Sequence, residues 1–147
     1  LRFQNPASPH LTLYFWKELL NIEYNDVLPA MKRIAERTEP FTVQVNGADT
    51  FGRPGRERVL YLSVAFSPEL AMLKKRCPWP NPPDKPFNPH ITLARISQPH
   101  TFTVHRKKIM RALDDISFTL QVDLLSFYAK INGQVQTPIA DFPLIKD

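Results

Sequence analysis

Apolar residues along this chain keep two different rhythms. Val27, Met31, Ile34 and Ala35 recur at steps of three and four, the spacing that turns one face of a helix inward, and predict a helix over about 26–37. Glu39-Pro40 ends it, because the residue before a proline is pushed out of helical backbone. Phe41, Val43 and Val45 then alternate with Thr42 and Gln44, as in a strand covered on one side, and Val59 to Val64 is an apolar run of strand length. Gly52-Arg53-Pro54-Gly55-Arg56 reads as the turn between them. Further on, a strand over Val59 to Phe66 and a short helix over Pro68 to Arg76 lead to a strand at Ile91 to Ile96. A helix around 105–114 with Ile109, Ala112 and Leu113 inward follows, then strands near 117–130 and 135–145. The plan is α+β with mainly antiparallel strands.

Two segments repeat. Pro9-His10-Leu11-Thr12-Leu13 recurs as Pro89-His90-Ile91-Thr92-Leu93, and Phe41-Thr42-Val43-Gln44-Val45 as Phe118-Thr119-Leu120-Gln121-Val122, at nearly the same offset. Both offsets are too long for a solenoid, so the reading is one domain of two related lobes, pseudo-symmetric, with helices outside and a central cleft. In the second half a strand and a short helix lead into the histidine strand, whereas only nine residues precede His10. The expectation is therefore that an upstream strand and helix, about 30 residues, belong to the first lobe, or that this lobe is built differently.

On a strand, neighbouring side chains point to opposite faces, so His10 and Thr12 share one face and His90 and Thr92 another, each backed by apolar Leu11, Leu13, Ile91 and Leu93. A lone His-apolar-Thr strand is ordinarily a satisfied surface histidine; its recurrence in a chain with four histidines points to a site. If an approximate two-fold axis relates the halves, two imidazoles and two hydroxyls converge.

These residues resemble the twin His-x-Thr motifs of the 2H phosphoesterases. Phe87-Asn88-Pro89-His90-Ile91-Thr92-Leu93-Ala94-Arg95 is similar to the second motif of the bacterial and archaeal RNA 2',3'-cyclic phosphodiesterases, also called 2'-5' RNA ligases. Leu125 to Tyr128, Gly133, Thr137-Pro138 and Phe142-Pro143-Leu144 are similar to that family's closing strand pair. The chain departs from the family pattern at Gln136, where members often carry an aromatic residue, and at Phe15-Trp16-Lys17.

The resemblance implies hydrolysis of RNA or nucleotide 2',3'-cyclic phosphates to 2'-phosphomonoesters, with 2'-5' ligation as the reverse activity. It also implies roles: His10 as proton donor to the leaving 3' oxygen, His90 as proton acceptor from water, and Thr12, Thr92 and Arg95 as substrate-binding residues. Ring opening needs an acid and a base in line, and imidazole titrates near neutrality, so the rate should follow a bell-shaped pH profile. No metal or other cofactor is required. Counted by strict alternation from His90, Arg95 falls on the Leu93 face and reaches the site only if the strand ends or bulges nearby. The competing class is a non-catalytic RNA- or phosphate-binding module on the same fold. A more remote one is a protein-interaction domain using the proline-rich stretch Pro78 to Pro89.

Composition narrows the picture further. The chain has 147 residues, 43% hydrophobic and 22% charged, with 15 prolines and 4 glycines, which suits a single globular domain and excludes a disordered or fibrous chain. A net charge of +5 leans towards a polyanionic partner. Basic groups at Arg53, Arg56 and Arg58, at Lys74 to Arg76 and at Arg106 to Lys108 with Arg111 suit an RNA backbone, though each alone reads as solvated surface. Trp79 reads first as a packing anchor and second as a base-stacking residue. His100 and His105 lack the following threonine and read as surface. No His or Cys pair has close metal-ligand spacing, and Cys77 is the single cysteine. A cytoplasmic monomer without a membrane segment is expected.

Overall fold

The computed structural model describes residues 1–3, 10–16, 21–79, 86–128, 130–131, 134–135 and 140–145. In chain order the elements are β1 (Arg2–Phe3), α1 (Asn21–Glu36), β2 (Phe41–Arg53), β3 (Arg56–Val64), α2 (Pro68–Arg76), β4 (His90–Arg95), α3 (Pro99–Leu113), β5 (Ser117–Val122), β6 (Leu124–Phe127), β7 (Lys130–Ile131), β8 (Gln134–Val135) and β9 (Ala140–Pro143). The expected α+β plan holds, and every strand pair whose register is resolved is antiparallel. The positions of Gln136 and Thr137-Pro138, and the prolines from Pro80 to Pro83, lie outside the described residues.

The chain divides into two compact units, each assembled from three separated segments. One comprises Leu1–Leu13, Val43–Phe66 and Pro86–Leu120; the other comprises Tyr14–Thr42, Ser67–Lys85 and Gln121–Asp147. Each unit draws on segments from both halves of the sequence. Each echo lies beside its partner: β2 and β5 are neighbours in one sheet, and Leu11 bridges Ile91.

The first unit carries a five-stranded sheet in the order β1-β4-β3-β2-β5. Helix α3 covers one face, where Leu60, Ile96 and Phe102 are buried with Leu93, Ile109, Met110 and Leu113 around them. The helix begins at Pro99, earlier than the expected 105, because proline suits a first helical position. Its opening turns hold only Phe102 as a buried apolar residue, so periodicity alone misses them. His100 and His105 are exposed on it, as expected.

In the second unit, α1 packs against β6 and β9. It starts at Asn21 instead of about 26; Asn21, Asn25 and Pro29 are poor helix formers, and Tyr24 holds the early turns by packing its ring 5.5 Å from Phe127. Helix α2 has the predicted bounds. Ser67 caps it, its hydroxyl accepting the Leu70 N–H at 3.1 Å, while Leu70 and Leu73 are buried. Trp79 is half-buried with its ring 5.0 Å from Trp16 and 6.0 Å from Tyr14, in keeping with the packing role.

Candidate active site

Both His-x-Thr motifs belong to the first unit. Ile91 pairs with Leu62 of β3 on one side and with Leu11 on the other, in an antiparallel bridge. That register sets Thr12 opposite His90 and His10 opposite Thr92, and residues opposite each other on antiparallel strands share a face with Cβ atoms about 4.5–5.5 Å apart. The two motifs therefore run side by side, and Ile91 is buried. His10 and Thr12 are exposed; His90 and Thr92 are half-buried.

The strand bulges where Arg95 needs it. Tyr61 pairs with Thr92 but Leu60 pairs with Ala94, so Leu93 is an extra residue in β4. Leu93 packs into the α3 core, and the parity of the strand changes after it. Arg95 pairs with Val59, two residues along β3 from Tyr61, and so returns to the face of His90 and Thr92. Without the bulge it would point at the core.

Aromatic rings hold His90 from the sheet side. The Phe51 ring stands edge-on at 4.9 Å and the Tyr61 ring at 5.2 Å, and the two stack on each other at 4.2 Å. His90 Nδ1 lies 2.8 Å from the Asn88 carbonyl oxygen. A carbonyl only accepts, so Nδ1 carries the proton and the Nε2 lone pair is left for chemistry. Burial, followed by the nearby Asp49 carboxylate, pushes the Tyr61 phenol above its ordinary pKa, with Asn88 opposing. The segment before β4 is tied down in turn: Val64 N–H donates to the Pro89 carbonyl at 3.3 Å, and Phe87 meets Phe66 edge-on at 5.5 Å.

Tyr61, Phe51 and Asn88 carry no mark in the sequence that makes them site residues. Tyr61 sits inside an apolar run that reads as core, and it is 7% exposed. The signal the sequence carries is alternation: Asp49 and Phe51 take alternate positions of β2 and share one face.

The model of the 2'-5' RNA ligase superfamily matches residues 3–133. An RNA 2',3'-cyclic phosphodiesterase of Aquifex aeolicus is 23% identical over 97% of this chain and 81% of its own length. Among solved structures, TT0787 of Thermus thermophilus superposes with a TM-score of 0.70 at 24% identity, covering 97% of this chain and 81% of that one. E. coli LigT complexed with 3'-AMP does so with a TM-score of 0.66 at 22% identity, covering 99% and 82%. At these identities the two structures show a shared fold.

Proposed function

The chain belongs to the 2'-5' RNA ligase superfamily, the 2H phosphoesterases, and from that membership and the face just described we propose that it hydrolyses RNA or nucleotide 2',3'-cyclic phosphates to 2'-phosphomonoesters. The single observation that supports the reading is the Leu11–Ile91 bridge, which sets the two His-x-Thr segments side by side. The name of the Aquifex relative and the 3'-AMP bound to LigT point to the same substrate class.

In this reading His90 is the base. Its Nε2 lone pair takes a proton from water as the water oxygen bonds to phosphorus. The bond from phosphorus to the 3' oxygen breaks, and that oxygen takes its proton from His10. The product carries a 2'-phosphate and a 3'-hydroxyl; His90 ends protonated and His10 neutral, and exchange with solvent resets both. Thr12 and Thr92 hydroxyls donate to the non-bridging oxygens where charge builds, and Arg95 adds a charge-assisted contact. A 5'-hydroxyl in the place of water would give a 2'-5' linkage through the same acid and base.

Offering a nucleoside 2',3'-cyclic phosphate in the presence of a chelator tests this. Expected is a 2'-phosphate product, lost in His10→Ala and in His90→Ala while nucleotide binding persists. A requirement for added metal, or a 3'-phosphate product, would overturn the mechanism. Tight binding of the ligand with no turnover in the unaltered protein would favour the binding-module alternative.

A further inference from the structure

We propose that the second unit holds a binding site of its own for a terminal phosphate, free or carried by a monoester, in a depression where α1 and α2 end, with the guanidinium groups of Arg33, Arg37 and Arg76 as its ligands. The site binds and does no chemistry, because arginine keeps its proton.

The depression follows from how the two helices end. Arg33 lies in the last turn of α1 and Arg37 directly after the helix, four residues on, so the two are neighbours along one side. Arg76 is the last residue of α2. These three arginines line a depression of about 200 Å³ together with Ala30, Ile34 and Pro78. Every charged group around it is therefore cationic, and the rest of its wall is apolar.

Arg76 is anchored in a way that leaves its gripping edge open. Its Nη1 donates to the Arg37 carbonyl oxygen at 2.8 Å and to the Thr38 hydroxyl oxygen at 2.9 Å. Thr38 is 4% exposed and its own hydroxyl donates to the Ile34 carbonyl at 2.7 Å, so the anchor is itself buried and held. The N–H groups on Nη2 and Nε remain, and they form the edge that binds an oxyanion through two parallel hydrogen bonds. A guanidinium already fixed loses less freedom on binding.

A helix C-terminus ordinarily disfavours an anion, because its last carbonyls are left without partners. At α1 they have them. The Ile34 carbonyl accepts from the Thr38 hydroxyl and the Arg37 N–H, the Ala35 carbonyl from the Thr38 and Ile145 N–H groups, and the Arg37 carbonyl from Arg76. No acid neutralises the cluster either: among the described residues no carboxylate pairs with any of the three arginines. Glu36 and Glu39, close by in sequence, are exposed and outside the lining.

Charge and size select the ligand. A terminal phosphate carries a charge of roughly −1.5 to −2 and three acceptor oxygens, one for each guanidinium, whereas a phosphodiester has a single charge and two free oxygens. A volume of about 200 Å³ is below the roughly 300–1,000 Å³ of pockets that enclose a whole small molecule, so the phosphate group itself is what the depression holds.

Titration of the full chain with inorganic phosphate tests the site, followed by NMR through the arginine Nε–H signals at an ionic strength held constant with chloride. The signals of Arg33, Arg37 and Arg76 are expected to shift together and to saturate. Because each signal reports on its own arginine, phosphate bound elsewhere on the chain is read separately. Arg33→Gln/Arg37→Gln should weaken the affinity read at Arg76 by at least about tenfold, since hydrogen bonds to charged groups are the strong ones. Thermal melting shows whether that variant is folded; Arg76→Lys, which keeps the charge and loses the fork, is the second variant and should weaken the affinity read at Arg33 and Arg37.

Dimethyl phosphate, a diester, should bind at least about tenfold more weakly than inorganic phosphate, having one charge fewer to pair. A nucleoside 5'-monophosphate separates the sources: equal or weaker binding assigns the site to free phosphate, tighter binding to an organic monoester, and both support it. Signals that drift without saturating overturn the site in the unaltered protein alone. Saturation that the folded variants leave unchanged, or a diester that binds as well as phosphate, overturns it too.

Discussion

His90 presents Nδ1 2.8 Å from the carbonyl oxygen of Asn88, two residues back along the chain, while the rings of Phe51 and Tyr61 stand edge-on to it. The imidazole is thus oriented by backbone and by packing together, whereas His10 is exposed. The two histidines should respond differently to removal. Both His90→Ala and His10→Ala are expected to lower kcat by about a hundredfold or more, the lower bound for a positioned acid or base. His90→Ala should also cost about 1 kcal/mol for each of its two ring pairings, and His10→Ala little stability. Steady-state kinetics with urea unfolding check this, and an active His90→Ala protein would remove His90 from the chemistry.

Arg95 reaches the catalytic face only through the extra residue Leu93. If it contacts phosphate, Arg95→Ala loses a charge-assisted hydrogen bond of about 1.5–3 kcal/mol, a fall in kcat/KM of roughly tenfold to a hundredfold. Arg95→Lys keeps the charge and loses the planar fork, so it should recover only part of that. Full activity in Arg95→Ala would leave the arginine with a structural role alone.

The motif residues were legible because a histidine-aliphatic-threonine triplet is rare enough that its recurrence carries information, and because alternation assigns faces without knowledge of the partner strand. What alternation cannot supply is the bulge at Leu93. An inserted residue looks like any other apolar residue in a line of letters, and only the pairing with Leu60 and Tyr61 reveals that Arg95 has changed sides. The same limit applies to pairing between distant segments: Leu11 bridges Ile91 and β2 neighbours β5, and such long-range pairings leave no local trace. Tyr61 stayed hidden for a third reason: a buried ring beside a histidine has the same composition as a core strand.

Tyr61 gives the structure an alkaline limit. Burial first, then Asp49, raise its phenol above the ordinary value of 10.0. The fold therefore favours the protonated ring. The contribution is fully present below the unfolded-state value and is lost as pH rises through the folded-state value. Stability should fall on going from about pH 8 to about pH 11, and Tyr61→Phe should remove the part of that fall due to this residue. Urea unfolding of both proteins at the two pH values measures it; an equal loss in both would mean that the phenol does not titrate with folding.

The hairpin glycines rank by their surroundings. At Gly52 φ is +119° and a Cβ would meet backbone at 2.8 Å, both at the Arg56 oxygen and at the Glu57 Cα, where neither atom can swing aside. At Gly47 φ is +68° and nothing lies within 4 Å of the added Cβ. Gly47→Ala should then cost only the left-handed backbone penalty, about 1–2 kcal/mol, with its N–H still donating to the Ile116 carbonyl at 2.7 Å. Gly52→Ala adds a clash to strain and should cost more, about 3 kcal/mol. Urea unfolding curves of the two proteins measure the difference, and equal stability costs would contradict the close approach at Gly52.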